Sequence, residues 1–358
     1  MEKYQILKDL VKFNTIKDLE NEKIVNYIEN YLSKLGFKTE SKTQNLIMSI
    51  GENPKLGFLG HTDTVEYIDE FKTPFELKQK DGYLYGLGAC DMKGGIAAML
   101  DAVATIDFSK LQYGMKLYFT YDEEIGFGGI NEIVDNKEKF PEIMIFGEPT
   151  NNELLTGHKG LIEYEIDFFG KKAHSSNPDK GISANMNAVK FLYELDDFYN
   201  KEIKIEKEDL YEIPYTTMNV GIINGGSAKN SVSAKCSITI DFRTANEKHI
   251  QKIMDKIDEL ASKYNAKANI IELVNSFIDE VDFIENIKTA NFMTEAGKIS
   301  GAKRIILGTG PVTAHEVNEH ISLESYDKLV EQYRKIIFAQ LGTRPGCAKC
   351  TIGDTSAL

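Results

Sequence analysis

From Glu20 to Leu35 the apolar residues Ile24, Tyr27, Ile28, Tyr31, Leu32 and Leu35 recur at intervals of three and four, which predicts an amphipathic helix. Short apolar runs follow, NLIMSI, KLGFLG, MKLYFT and EIMIFG, too brief for helices and bounded by turn residues. They read as strands. KGGIAAMLDAVATI, which begins at Lys93, reads as a helix between two of them. Strand and helix in alternation predict an α/β layer: a mixed, largely parallel sheet flanked by helices.

The pattern changes after GEPTNNELLTGHKG. LIEYEIDFF alternates with period two, a helical pattern covers about Ile182 to Leu195, and SVSAKCSITIDFR alternates again with Val232, Ala234, Cys236, Ile238 and Ile240 on one face. One-sided strands predict a half-exposed antiparallel sheet covered by helices, hence a separate α+β domain. A further helix is expected over Glu247 to Lys263, and from about Ile287 the chain returns to helix, strand (RIILG) and helix. The expected organisation is a discontinuous first domain, residues 1–157 and 273–341, interrupted by an inserted domain, 158–272. The tail, 342–358, is expected to be disordered.

The 358-residue chain is 42% hydrophobic without a long apolar run, the composition of a soluble globular protein. MEKYQILKDLVKF lacks a basic stretch followed by an apolar one, so no secretory signal is expected and a cytoplasmic location is. A net charge of −13 argues against a nucleic-acid partner, because phosphate contacts need clustered Lys and Arg. Cys90, Cys236, Cys347 and Cys350 are too few and scattered for a disulfide framework. The Cys347/Cys350 pair has no second pair to complete a zinc site.

Candidate chemistry collects at strand ends. GFLG runs into His61 and Asp63, LYFTY into Asp122, Glu123 and Glu124, MIFG into Glu148, and IILG leads on to His315. Beyond the carboxyl ends of parallel strands lies the usual ligand crevice of an open α/β sheet. YGLGACDMKGG opens like a dinucleotide-binding turn but places Asp91 where the third glycine belongs. A carboxylate there repels phosphate and attracts a cation. Taken singly, Asp91 reads equally as a helix N-cap, Glu123 and Glu124 as a solvated acidic turn, and His315 as a surface histidine, as His249 and His320 are read. Taken together, imidazoles and carboxylates without thiolate read as a site for Zn²⁺, Co²⁺ or Mn²⁺. His61 and Asp63 point the same way on extended backbone, so Asp63 is placed to hold the second ring nitrogen of a ligating His61.

GHTDTV, GACDMKGG, YDEEIGFGG, FGEPT and AHEVNE, in this order, resemble the co-catalytic metallopeptidase family that contains acetylornithine deacetylase, succinyl-diaminopimelate desuccinylase, aminoacylase and glutamate carboxypeptidases. The resemblance runs from about Glu2 to Phe338. It implies two divalent ions, zinc first among them, one held by His61, Asp91 and Glu148 and the other by Asp91, Glu124 and His315. Glu123, in neither set, would be the general base that takes a proton from the attacking water and passes it to the leaving amine. The resemblance further implies a homodimer formed through the inserted domain, with His174 of AHSSNPDKG stabilising an oxyanion in the partner's site. Asn230 and Arg243 would bind substrate, Arg243 through its planar fork on a carboxylate, with a surface ion pair to Asp241 as its alternative; the Gly308 and Gly310 amides in LGTGP are read as approaching the substrate, with a plain turn as the alternative.

HKG at His158–Gly160, HSSNPDKG and TIDFR look closer to acetylornithine deacetylases than to the desuccinylases, although TAN after Arg243 and GTGPVT before His315 depart from that pattern. The expected function is therefore removal of an acyl group, acetyl first, from a small N-acyl amino acid such as N-acetylornithine. Desuccinylase, dipeptidase and carboxypeptidase activities are the alternatives on the same site, and a catalytically silent binding protein is the alternative outside it. No serine-hydrolase elbow, Walker lysine loop or complete dinucleotide fingerprint occurs.

Overall fold

The computed structural model describes residues 3–68 and 70–344. Cys347, Cys350 and the tail from residue 345 lie outside the described residues.

The chain divides into two compact units, one comprising residues up to Thr156 with Asp279–Ile287 and the chain from Lys298, the other comprising Gly157–Ile278 and Lys288–Gly297. In the first, the apolar runs and an exposed polar edge strand, Lys38–Lys42, pair into a six-stranded sheet in the order Lys38–Lys42, Leu46–Ile50, Met115–Thr120, Leu56–His61, Ile143–Phe146, Lys303–Ile306. The last four are mutually parallel, and the first two join antiparallel at one edge. Leu56–His61 is buried along its whole length, which explains its unbroken apolar run: a central parallel strand meets apolar layers on both faces.

Helices Lys93–Val103 and Leu323–Leu341 pack against each other and on Leu56–His61. Ser322 caps the second helix by accepting from the Ser325 amide. Gly95 lets the first helix sit close, since a Cβ there would lie 2.2 Å from the Gly147 carbonyl oxygen. The helix predicted over Glu20 to Leu35 is Asn21–Lys34, and it buries Ile24, Val25, Ile28 and Leu32.

The second unit is a four-stranded antiparallel sheet in the order Thr217–Gly225, Lys235–Thr244, Gly160–Phe169, Ala266–Val274. Helices Ala184–Phe198 and Lys248–Lys263 share its core, with Ile238, Ile240, Phe191 and Ile257 fully buried. The strand expected from Val232 begins only at Lys235. Val232 lies ahead of it, where its amide bonds to the Ala173 carbonyl.

Two expectations about organisation are corrected. The second unit runs to Ile278, past the expected boundary at 272, and takes in Lys288–Gly297, where Thr289–Ala290 adds parallel to Gly157–His158 and the Thr294 amide donates to His158 Nε2. No α-helix separates Ile287 from the strand at Lys303; a 3-10 turn, Glu295–Lys298, stands there instead. No helix among the described residues is long and apolar enough to cross a membrane.

Candidate metal centre

Parallel register assembles the site. His61 is level with Thr120 and Leu59 with Phe146, so the segments carrying His61, Glu123, Glu124 and Glu148 leave the sheet at the same edge. Beyond Thr120 the chain turns tightly. Asp122 and Phe127 adopt left-handed φ of 59° and 55°, and the Asp122 carbonyl accepts from the Gly126 and Phe127 amides. Asp91 precedes helix Lys93–Val103 without capping it, since Met92 is the N-cap residue and no side-chain cap bond is made.

The two histidines meet opposite oxygens of one carboxylate. His61 Nε2 lies 3.1 Å from Asp91 Oδ1, and His315 Nε2 lies 3.5 Å from Asp91 Oδ2. Glu148 Oε1 and Glu123 Oε2 each stand 3.9 Å from His61 Nε2, and Glu124 Oε2 stands 3.2 Å from His315 Nε2. His61, Asp91 and Glu148 thus form one group of convergent donor atoms within 4.8 Å of one another, and Asp91, Glu124 and His315 form a second that shares Asp91.

Electrostatics fits this donor set to cations. Burial drives the His61 pKa down, but Asp63, Asp91, Glu123 and Glu148 outweigh it and hold the ring well above its usual value. Asp91 and Glu124 push His315 up to about 10. Burial would raise Asp91, yet His315 and His61 keep it well below the ordinary carboxylate range. A field of this sign favours cationic charge at both imidazoles, which a proton or a divalent cation would supply. Glu124 Oε1 is buried with no hydrogen-bond partner, which leaves it open to a cation.

Comparison with known proteins decides the family. The chain is 31% identical to an acetylornithine deacetylase of Pasteurella multocida over 89% of its own length and 91% of the relative's. It is 32% identical to another of Buchnera aphidicola over 93% and 96%. Residues 156–269 match the family model for the M20 peptidase dimerisation domain. The chain belongs to the M20 family of metal-dependent hydrolases. Solved M20 structures share its fold: a metallo-carboxypeptidase from Sulfolobus solfataricus superposes with TM-score 0.75 at 20% identity, covering 95% of this chain and 99% of that one. A dinuclear metal-binding peptidase from Bacillus subtilis does so with TM-score 0.69 at 12% identity, covering 95% and 97%.

Around this M20 centre the structure refines several expectations. Asp63 supports two groups rather than one. The nearest acceptor to His61 Nδ1 is its backbone carbonyl at 3.1 Å, its Oδ1 lies 3.4 Å away, and its Oδ2 accepts from the Glu124 amide at 3.0 Å. A ring donating from Nδ1 presents Nε2 to the centre. The Gly308 and Gly310 amides, expected to face substrate, are buried and donate to Thr150 Oγ1 and Ser325 Oγ at 3.1 and 2.7 Å. They are tight-approach glycines. His249, read as a surface residue, is fully buried between Thr216 Oγ1 at 2.7 Å and Glu206 Oε2 at 3.0 Å. His320 is half-buried and stacks on Tyr85. A cleft of about 1190 Å³ lined by Lys72, Lys78, Tyr85 and His320 reaches His315 and no other member of the donor groups.

In the second unit His174 and Ser231 form a bridge pair, and the Ser175 amide donates to the Asn230 carbonyl, so the segments carrying His174 and Asn230 lie side by side. Arg243 is engaged by Asp241, Nε to Oδ1 and Nη2 to Oδ2, both at 3.0 Å. Sequence reading passed over Glu319. Its carboxylate accepts from three amides of the Asp91 loop, and backbone donors leave no side-chain signal.

Proposed function

We propose that this M20 hydrolase removes an acyl group, acetyl first, from a small N-acyl amino acid such as N-acetylornithine. The observation that carries the reading is Asp91, one oxygen toward His61 and the other toward His315, with Glu123 beside the first group and outside both. Two ions held by these groups, Zn²⁺ with Co²⁺ or Mn²⁺ as substitutes, would polarise the amide carbonyl and make water acidic enough to attack near neutral pH. Glu123 takes a proton from that water, whose oxygen adds to the carbonyl carbon. As the C–N bond breaks, Glu123 returns the proton to the leaving amine. Asp63 keeps His61 and the Glu124 backbone in place, and Arg243 exchanges Asp241 for the substrate carboxylate, a match for its planar fork.

The acetylornithine deacetylase names of the relatives support the acyl and amino-acid choice. A dipeptidase or carboxypeptidase is the second reading, favoured by the peptidases among the structural neighbours. The chain acts as a homodimer through its second unit. The outer strand Thr217–Gly225 exposes Ile222 and Ile223, and the adjacent helix Ala184–Phe198 exposes Met186, Val189 and Tyr193 at helical spacing. An open edge with apolar side chains calls for a covering partner. His174 then serves the partner's site. Its Nδ1 lies 2.8 Å from Ser176 Oγ and accepts from the Ser176 amide at 3.2 Å, which supports the tautomer that carries its proton on Nε2 and can donate it to an oxyanion. Free buried Cys90 and Cys236 fit a reducing cytoplasm.

The test is steady-state hydrolysis of N-acetylornithine, N-succinyl-diaminopimelate and dipeptides by chelator-stripped protein with each metal added back. Metal-restored turnover highest on N-acetylornithine is expected. A higher kcat/KM on dipeptides overturns the deacylase reading, and absence of metal binding overturns the centre.

A further inference from the structure

Glu319 ends the AHEVNE motif four residues after His315, and nothing in the chemistry above uses it. The side chain is 2% exposed. Its Oε1 accepts from the Cys90 and Asp91 amides at 2.7 and 2.9 Å, and its Oε2 accepts from the Gly88 amide at 2.7 Å. The Glu319 carbonyl accepts from Gly86 at 3.1 Å. Antiparallel pairing of His320–Ser322 with Tyr83–Tyr85 fixes the backbone on either side of this contact.

A buried carboxylate beside further carboxylates is costly unless its oxygens are bonded, and here both oxygens are bonded to one loop. The fit is specific to a carboxylate. Glutamine offers a single acceptor oxygen, and its NH₂ group would face the Gly88 N–H donor to donor. One of the three donors is the amide of Asp91 itself, so the clamp acts at the backbone of the residue whose two oxygens point at opposite groups.

We propose that Glu319 is a positioning residue of the metal centre, its carboxylate fixing the Gly88–Asp91 loop so that Asp91 reaches both metal positions at once. The inference rests on the reading of Asp91 as the shared ligand. It has a signature that a purely structural role lacks: loss of the clamp weakens both ions together, whereas loss of His315 weakens one.

The experiment titrates Zn²⁺ into the chelator-stripped full chain in competition with a chromophoric chelator, for wild type, Glu319→Gln and His315→Ala, with thermal unfolding of each metal-free protein alongside. Wild type is expected to bind two ions, His315→Ala to lose affinity for one, and Glu319→Gln to bind both about 10- to 100-fold more weakly, the usual range for groups that orient ligands. Glu319→Gln with wild-type affinity for both ions overturns the proposal, even if its unfolding temperature falls. If that variant fails to fold, Glu319→Asp, whose carboxylate is drawn back by one methylene, goes through the same titration, and unchanged affinities overturn the proposal equally. A wild-type chain that takes up fewer than two ions refutes the shared ligand, and the inference with it.

Discussion

Replacing Gly308 by alanine tests how closely the strand ends set the centre. A Cβ at this position would lie 2.1 Å from the Glu148 carbonyl oxygen and 2.6 Å from the Gly147 carbonyl oxygen, and real Cβ atoms essentially never approach within 3.0 Å. Neither contact is the end of a flexible side chain. The Gly308 amide is held by Thr150 and its carbonyl accepts from the Asn152 amide at 3.0 Å, so the residue cannot swing away alone. The gap to Glu148 must widen by roughly 0.9 Å, and Glu148 moves with it. Overpacking of this kind costs about 1–3 kcal/mol of stability, readable by urea unfolding. A displacement near 1 Å at a reacting centre lowers kcat/KM by about 100-fold. Competition titration should show weaker binding at the His61–Asp91–Glu148 group while the group containing His315 keeps its ion. Wild-type affinity at both groups with full turnover would refute the reasoning, because the strain would then have been absorbed away from Glu148.

Glu123→Gln should keep both ions and lose turnover by about 100- to 10,000-fold, the range of general acid–base catalysis; unchanged kcat removes Glu123 from its role. Mixing that variant with His174→Ala should recover part of the activity, and no recovery in verified heterodimers counts against a histidine acting in trans. Chelator treatment should lower the unfolding temperature, because Zn²⁺ at 100 times its dissociation constant adds about 2.7 kcal/mol; identical melting curves with and without metal would contradict a site formed only in the folded chain. His249→Ala removes a fully buried ring and its bonds to Thr216 and Glu206, which keep the Ala245 amide and Lys252 as partners, at a cost of about 1–3 kcal/mol in urea unfolding, with Zn²⁺ affinity unchanged; a loss of affinity would tie this network to the centre.

The candidate donors His61, Glu124 and Glu148 were legible in the sequence because each follows closely on an apolar run, whereas Asp91 and His315 stand in loops and the division into two groups came from the family resemblance. A parallel sheet aligns the ends of such runs, as His61 with Thr120 and Leu59 with Phe146, so local pattern carried long-range information. Where the determining partner is backbone, that link breaks. Glu319 looks like any acidic residue after a histidine until Gly88, Cys90 and Asp91 are seen to give it their amides. Gly308 and Gly310 read as substrate-facing for the same reason, although their amides are spent on Thr150 and Ser325.

His249 was missed for a different cause. It opens a helix whose apolar positions Ile253, Ile257 and Leu260 announce a buried face, and a histidine on that face shows as buried only once Thr216 and Glu206 supply both ring nitrogens with partners. The segment 288–297 was misassigned because a two-residue strand, Thr289–Ala290, carries no periodicity to read. These misses share one property: the deciding contact is made by a group without a side-chain signature or by a residue far along the chain. The same property makes Glu319 informative, since a carboxylate retained among other carboxylates and bonded only to backbone has no evident use except to hold that backbone in place.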